Sequence, residues 1–158
     1  MSTLTANTLS NTAKMESPSM VSIDALSWTL VRVATGLILV PHGAQKLFGW
    51  FGGGGLTGTA QFFEQKLSLY PGLLFAGAAG LTEFIGGLLL AIGLLTRLTA
   101  AAVVALMAYA IVFVHLGNGF FWTAGGYEYP LLWGLVALAL VIRGGGELSV
   151  DRQIGWRF

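Results

Sequence analysis

The stretch that decides the fold is "AAGLTEFIGGLLLAIGLLTR", residues 78–97, which is apolar except at Thr82, Glu83, Thr96 and Arg97. A helix of roughly 20 such residues is long enough to cross a bilayer core. At a rise of 1.5 Å per residue, Glu83 lies roughly 18 Å into this span, close to the midplane. An unpaired charge at that depth costs several kcal/mol, so Glu83 must be either paired or protonated.

Small residues recur on the same face of this helix as the carboxylate. Ala79, Glu83, Gly87 and Ala91 follow one another at intervals of four. Small residues at this spacing allow two membrane helices to approach closely. The pattern therefore predicts that Glu83 faces a neighbouring helix and not lipid.

The composition of the whole chain indicates a membrane protein. Of its 158 residues, 55% are hydrophobic and only 9% are charged, against about 25% charged in a typical soluble domain. The net charge of +1 gives no basic field for nucleic acid. The chain has no cysteine, which excludes a thiol nucleophile, a disulfide and a Cys-ligated metal centre.

Four apolar stretches predict an all-α integral membrane protein, a four-helix bundle in the lipid bilayer. They are residues 26–48, 70–95, 98–117 and the shorter 129–142. The bundle occupies residues 22–144, between a disordered, polar N-terminal tail at 1–21 and a cytoplasmic C-terminal tail at 145–158. The small-residue stripes are compatible with a homo-oligomer but do not require one.

The connection between the first two spans is rich in glycine, from Gly52 to Gly55, and is expected outside the cell. After it, residues 59–69 form an expected interfacial helix. Phe62 and Phe63 would enter lipid from this helix, while Glu64 would face water.

The distribution of basic residues predicts the orientation. The side that carries both termini has Lys14, Arg97, Arg143, Arg152 and Arg157, and the opposite side has Lys46 and Lys66. Both termini are therefore expected to be cytoplasmic.

Several polar side chains are expected to meet near the outer ends of the spans. His42 and Lys46 are four residues apart, on one helical face. His42 and His115 both lie about 25 Å above the cytoplasmic start of their helices, and Glu128 enters the last span at the same level. Glu83 lies below this group, and Arg32, nearer the cytoplasmic end, could turn inward to support it.

Three interpretations of this polar group remain open. The histidines and Glu83 could be purely structural, held in hydrogen bonds and ion pairs. They could instead line a quinone pocket, with Glu83 exchanging protons and Lys46 or Arg32 stabilising negative charge. A haem with two axial histidines is the least favoured. No spacing of ligands supports a metal site.

The chain resembles the DoxX family of small four-helix membrane proteins. The resemblance rests on "GLILVPHGAQKLFGW", "TEFIGGLLLAIGLLTRLTAAAV", "HLGNGFF", "GGYEYPLL" and "GGGELSVD", within residues 32–151. It implies a multi-pass protein of a bacterial or archaeal cytoplasmic membrane. Some relatives are subunits of thiosulfate:quinone oxidoreductase, and others are associated with redox partners.

Together these observations predict a small membrane subunit of a quinone-linked redox system that anchors a partner oxidoreductase. The expected catalytic residues are Glu83, His42 and His115, and the expected cofactor-binding residues are Arg32, Lys46 and Glu128. The alternatives are a non-catalytic scaffold or assembly factor and, less favoured, a small-solute transporter.

Overall fold

The computed structural model describes residues 21–156, and its regular secondary structure in that range is entirely helical. Within this range the α-helices are α1 Ile23–Phe48, α2 Gly55–Leu67, α3 Gly72–Ile92, α4 Thr96–Ala110, α5 Glu128–Arg143 and α6 Val150–Gln153. Helix α4 continues through a π-helical turn, Ile111–His115, and a 3-10 turn, Leu116–Asn118. The all-α prediction is confirmed for this part of the chain. The tail predicted at 1–21 lies outside the described residues except for Val21, and so does Arg157.

Three helical stretches in the described range are long and apolar enough to cross a membrane, namely Ile23–Phe48, Gly72–Ile92 and Thr96–Asn118. They correspond to the first three predicted spans. Helix α5, at the predicted fourth span, has 16 residues, fewer than the roughly 20 that a spanning helix usually needs. Large apolar side chains remain exposed along the helices, as expected where lipid surrounds them. The chain is a multi-pass membrane protein.

Helices α1 and α3 pack backbone against backbone through glycines. A Cβ atom added at Gly36 would lie 2.3 Å from the carbonyl oxygen of Gly87, and one added at Gly43 would lie 2.3 Å from the nitrogen of Phe84. A Cβ atom added at Gly80, on α3, would lie 2.6 Å from Cδ2 of the Leu47 side chain. Because a side chain at any of these positions would collide with the partner helix, this glycine seam (Gly36, Gly43, Gly80 and Gly87) sets the distance between the two helices.

The tight turn between α3 and α4 is held by two charged side chains from distant parts of the chain. The Arg32 guanidinium, 1% exposed, donates to the carbonyl oxygens of Leu90 and Ala91 at 2.7 and 2.6 Å, where α3 ends. The Asp151 carboxylate accepts from the backbone N–H groups of Leu95 and Thr96 at 2.7 and 2.8 Å, where α4 begins. Each charge thus lies at the helix terminus whose dipole it complements.

Helix α5 runs back along α4 to the end of the protein where α1 begins. The Trp28 indole donates to the carbonyl oxygen of Gly144 at 2.9 Å, and Arg143 pairs with Asp24 and covers the Trp28 ring at 4.7 Å. The core between these helices consists of Leu39, Leu90, Ala100, Val103, Met107, Ala137 and Leu140. The first and last described helices therefore meet at one end, which we call the terminal end.

The C-terminal segment folds against this end. Gly145, Ser149 and Asp151 are all buried, and the Ser149 hydroxyl accepts from the Arg152 N–H at 3.2 Å to begin α6. Part of the segment expected to form a cytoplasmic tail is thus packed onto the helices, while residues 152–156 are exposed.

Helix α2 begins at Gly55, four residues before the predicted Thr59, and it packs differently from the prediction. Phe63 does not enter lipid: it is 7% exposed and packs with Ala60, Ala76 and Ala79. Glu64 does not simply face water, because its Oε1 accepts from the N–H of Gly72 at 2.7 Å, at the start of α3. Both differences arise because α2 lies on α3, which provides an apolar surface and an unpaired helix N-terminus.

The glycine seam generates a stability prediction. We expect Gly87→Ala to lower the free energy of unfolding by about 1–3 kcal/mol, as overpacking does, because its Cβ would lie 2.7 Å from the Gly36 carbonyl oxygen. Gly77→Ala is the matched control on the same helix, since nothing lies within 4 Å of its added Cβ. The measurement is thermal loss of helical circular dichroism in detergent. Equal midpoints for the two variants would contradict a backbone-to-backbone contact.

Candidate functional site

A cavity of about 390 Å³ lies at the end of the protein opposite the terminal end, and most of its lining is apolar. Four titratable side chains of the predicted cluster line it: His42, Lys46, Glu83 and His115. Aromatic rings make up much of the remaining wall, which includes Phe62, Phe63, Tyr109, Trp122, Tyr129 and Trp133. Apolar cavities of this size with a few convergent polar groups are typical of small-molecule sites.

The innermost polar contact of the cavity is an ion pair between α1 and α3. Lys46 Nζ lies 2.5 Å from Glu83 Oε2, and the two side chains are 30% and 7% exposed, respectively. Glu83 reaches this partner because the glycine seam brings α3 against the last turns of α1. The ammonium group has three N–H donors, so Lys46 keeps two for a ligand after pairing with Glu83.

His115 is the last residue of the π-helical turn in the third candidate span, and a backbone contact fixes its ring. Its Nδ1 lies 2.7 Å from the carbonyl oxygen of Gly125. A carbonyl only accepts hydrogen bonds, so Nδ1 carries a proton, and in the neutral ring Nε2 is a free acceptor. π-Helical turns occur frequently at functional sites.

His42 lies one turn before Lys46 on α1, directly after Pro41. Its side chain is exposed and has no hydrogen-bond partner among residues 21–156. Because it borders the same cavity as His115, the structure brings the two histidines of the chain to one site.

The loop before α5 closes the outer side of the cavity. Trp122 stacks on Tyr129 at 5.3 Å between ring centroids, and Asn118 Nδ2 donates to the Gly125 carbonyl oxygen at 3.2 Å. Glu128 is part of this loop structure and does not line the cavity: its Oε2 accepts from the Trp122 N–H at 3.0 Å. Its position supports the loop, whereas the sequence suggested direct contact with a cofactor.

Arg32 is not part of this site. It is buried at the terminal end, on the carbonyl oxygens of α3 and on that of Leu148 at 3.1 Å. More than two helical turns of α1 separate Arg32 from His42 and Lys46. The cofactor-binding role expected for Arg32 therefore has no support from its placement.

Sequence reasoning did not single out Thr59, Tyr109 or Trp133 as lining residues. Trp133 is four residues after Tyr129 and so shares its helical face. This spacing could have identified Trp133 as a lining residue. Tyr109 and Thr59 reach the cavity only because of the way α4 and α2 pack. The Thr59 hydroxyl donates to the Lys46 carbonyl oxygen at 3.3 Å and attaches α2 to the end of α1.

No group of three or more metal-ligating carboxylate or imidazole side chains is arranged to hold a metal ion within residues 21–156. The cavity instead presents one ion pair and two imidazoles among aromatic rings. Such a site can bind a flat, partly polar molecule, donate hydrogen bonds to it and exchange protons with it.

Comparison with known proteins links the chain to a membrane-protein family. The model of the DoxX family matches residues 27–116. An uncharacterized protein of Haemophilus influenzae is 39% identical over 106 residues, covering 62% of this chain and 79% of its own length. A Bacillus subtilis protein named "Putative oxidoreductase CatD" is 34% identical over 122 residues, covering 77% of this chain and 82% of its own length. No solved structure matches the chain significantly.

The ion pair generates a second prediction. We expect Lys46→Met to destabilise the protein by up to about 3 kcal/mol, because it leaves the Glu83 carboxylate buried without a partner. The double variant Lys46→Met/Glu83→Met should recover most of that loss, since it removes both charges. The measurement is unfolding in mixed micelles, with exposed Lys66→Met as the control. If the separate effects of Lys46→Met and Glu83→Met added up to the effect of the double variant, the pair would contribute no coupling energy.

Proposed function

The chain belongs to the DoxX family, and on that premise we propose that it is a small membrane subunit of a quinone-linked redox system. The observation that carries the proposal is the aromatic-lined cavity in which His42, Lys46, Glu83 and His115 converge. The relative named as an oxidoreductase supports the same class of chemistry. The subunit anchors a partner oxidoreductase, which supplies the electrons.

The residues of the cavity fit a quinone ring. Trp122, Tyr129 and Trp133 offer faces for stacking, and Lys46 offers N–H donors to a ring carbonyl oxygen. A quinone, when bound, accepts two electrons and two protons. Lys46, which lines the cavity, would hold such a ring by a carbonyl oxygen, and its ammonium charge would stabilise negative charge there.

Proton transfer is the role of the other titratable groups in this proposal. His115 holds its Nδ1 proton on the Gly125 carbonyl, which leaves Nε2 of the neutral ring as the atom that meets a ligand and exchanges a proton with it. His42, exposed beside the cavity, connects it to water. Glu83, which pairs with Lys46 in the cavity, serves as a further proton acceptor in this proposal.

The proposal includes the topology and location of the protein. Four helices cross the cytoplasmic membrane of a bacterium or archaeon, and both termini lie in the cytoplasm. Helix α5 begins at Glu128, next to the cavity-lining Tyr129, and ends at Arg143, which covers Trp28. Its 16 residues therefore extend between the two ends of the protein over roughly 24 Å. Arg97, Arg143 and Arg152 lie at the terminal end, while Lys66 and the paired Lys46 lie near the other. This distribution favours a cytoplasmic terminal end.

A non-catalytic scaffold is the second candidate, and the Lys46–Glu83 pair is the observation that favours it. The pair neutralises itself and connects α1 to α3, which a purely structural element would also do. Quinone binding separates the two candidates.

We expect the protein, purified with its native lipids, to show a quinone band in its reduced-minus-oxidised spectrum. A tail-free benzoquinone should quench its tryptophan fluorescence, because Trp122 and Trp133 line the cavity. His115→Ala and Glu83→Gln should each weaken this binding about tenfold, as loss of a hydrogen bond or charge does.

Lys66→Gln serves as the control for this titration, since Lys66 is exposed outside the cavity. A flat spectrum together with an absence of saturable quenching would refute quinone binding and favour the scaffold.

The absence of native cysteine allows a direct test of the orientation. We expect Gln65→Cys, exposed on α2, to react with a membrane-impermeant maleimide in intact cells, and Gln153→Cys, exposed on α6, to react only after the membrane is opened. The reverse pattern would place the termini outside.

A further inference from the structure

A second cavity adjoins the first and opens onto the outer surface of the helices. It has a volume of about 300 Å³ and lies between α2, α3 and α4. Four of its lining residues, Phe63, Ala79, Leu106 and Tyr109, also line the first cavity. We call the first cavity the head cavity and the second the side crevice. These four residues form a layer that the two cavities share as a wall.

The chemistry of the lining changes sharply across this layer. The head cavity contains an ion pair and two imidazoles. Among the described residues, by contrast, the side crevice is lined by no charged residue and no histidine, and the side-chain oxygens that line it belong to Thr82 and Tyr109. One molecule that occupied both would need a polar, flat end and a long apolar end.

The mouth of the side crevice consists of small residues on two of the candidate membrane spans. Ala78 on α3 and Ala102 and Ala105 on α4 are exposed there. Both helices cross the bilayer, so the mouth opens into lipid and not into water. An apolar molecule dissolved in the membrane can reach it without crossing an aqueous phase.

Aromatic contacts shape the layer between the two cavities. Phe63 stacks on Phe75 at 6.5 Å between centroids, and Tyr109 stacks on Phe113 at 4.6 Å. Phe63 comes from α2, which crosses the surface of α3 and is attached through Thr59 and Glu64. The position of α2 therefore defines the boundary between polar and apolar space.

From the wall that the two cavities share we propose that the side crevice holds the isoprenoid tail of a lipid-soluble quinone whose ring lies in the head cavity, with the tail passing between the shared side chains. The ligand enters sideways from the membrane between α3 and α4. The inference rests on the proposed function and narrows it to long-tailed quinones. It also assigns Ala102 and Ala105 as residues that distinguish tailed from tail-free ligands.

Two photoreactive benzoquinones test this assignment on the full-length protein in lipid nanodiscs. The ring probe has no tail and carries an azido group on the ring. The tail probe carries a diazirine on the second isoprenoid unit of its tail. We expect the ring probe to label residues of the head cavity and the tail probe to label α3 and α4 around Ala78 and Ala105. Excess unlabelled tailed quinone should abolish both signals.

Ala105→Phe should abolish labelling of the crevice by the tail probe, because the larger side chain fills the mouth. Labelling of the head cavity by the ring probe, which has no tail, should persist in this variant. Ala108→Phe is the matched control, since Ala108 is exposed on the same helix and lines neither cavity. Both probes should label that control as they label the unmodified protein.

The outcomes separate the two proposals. Ring labelling in the head cavity, with tail labelling elsewhere or unaffected by Ala105→Phe, would overturn the tail site and leave quinone binding intact. Labelling that unlabelled quinone fails to compete would overturn both. Competition of the tail signal by phospholipid acyl chains would assign the crevice to lipid, and disulfide crosslinking of two protein copies that carry Ala105→Cys would assign it to a second copy. Either result would overturn the inference.

Discussion

The direct backbone contact between α1 and α3 is the constraint on which the rest of the structure depends. Gly36 and Gly43 on one helix meet Gly80 and Gly87 on the other with no room for a side chain. Two charged contacts flank this seam, one towards each end of α1. Arg32 reaches the last carbonyls of α3, and Lys46 reaches Glu83. A wider separation of the helices would leave both charges unpaired in an apolar environment, where each is costly.

The two ends of the protein use their charges differently. At the terminal end, Asp24, Arg32, Arg143 and Asp151 all contact partners within the chain, so these groups stabilise the fold. At the opposite end, His42 has no partner among the described residues, and His115 and Lys46 have hydrogen-bonding capacity left over. Unused polar capacity around an aromatic cavity is the arrangement expected where a ligand completes the contacts.

Periodic patterns in the sequence were sufficient for the helices and for part of the site. The stripe through Glu83 and Gly87 correctly indicated a buried packing face, and equal helical depth placed His42 and His115 at one level, where they share a cavity. The pattern indicated the fourth span less clearly than the other three, because its apolar run is short.

Contacts that depend on distant segments could not be predicted. Asp151 caps a helix that begins 55 residues earlier, and no local pattern encodes that pairing. Phe62 and Phe63 are adjacent aromatics on α2, so only the surface of α3 determines which of them is buried. Glu128 and Arg32 are charged residues at the edge of a predicted span or within one. The sequence gives no indication that their partners are backbone groups and not a cofactor.

The capping of α4 by Asp151 also has a consequence for biosynthesis. The turn between α3 and α4 leaves the ribosome well before residue 151, so its N–H groups have no carboxylate partner while the rest of the chain is being made. The turn acquires its complete set of contacts only when the C-terminal segment arrives. A nascent chain that stops before this residue therefore carries a hairpin whose N–H groups at Leu95 and Thr96 lack their carboxylate partner.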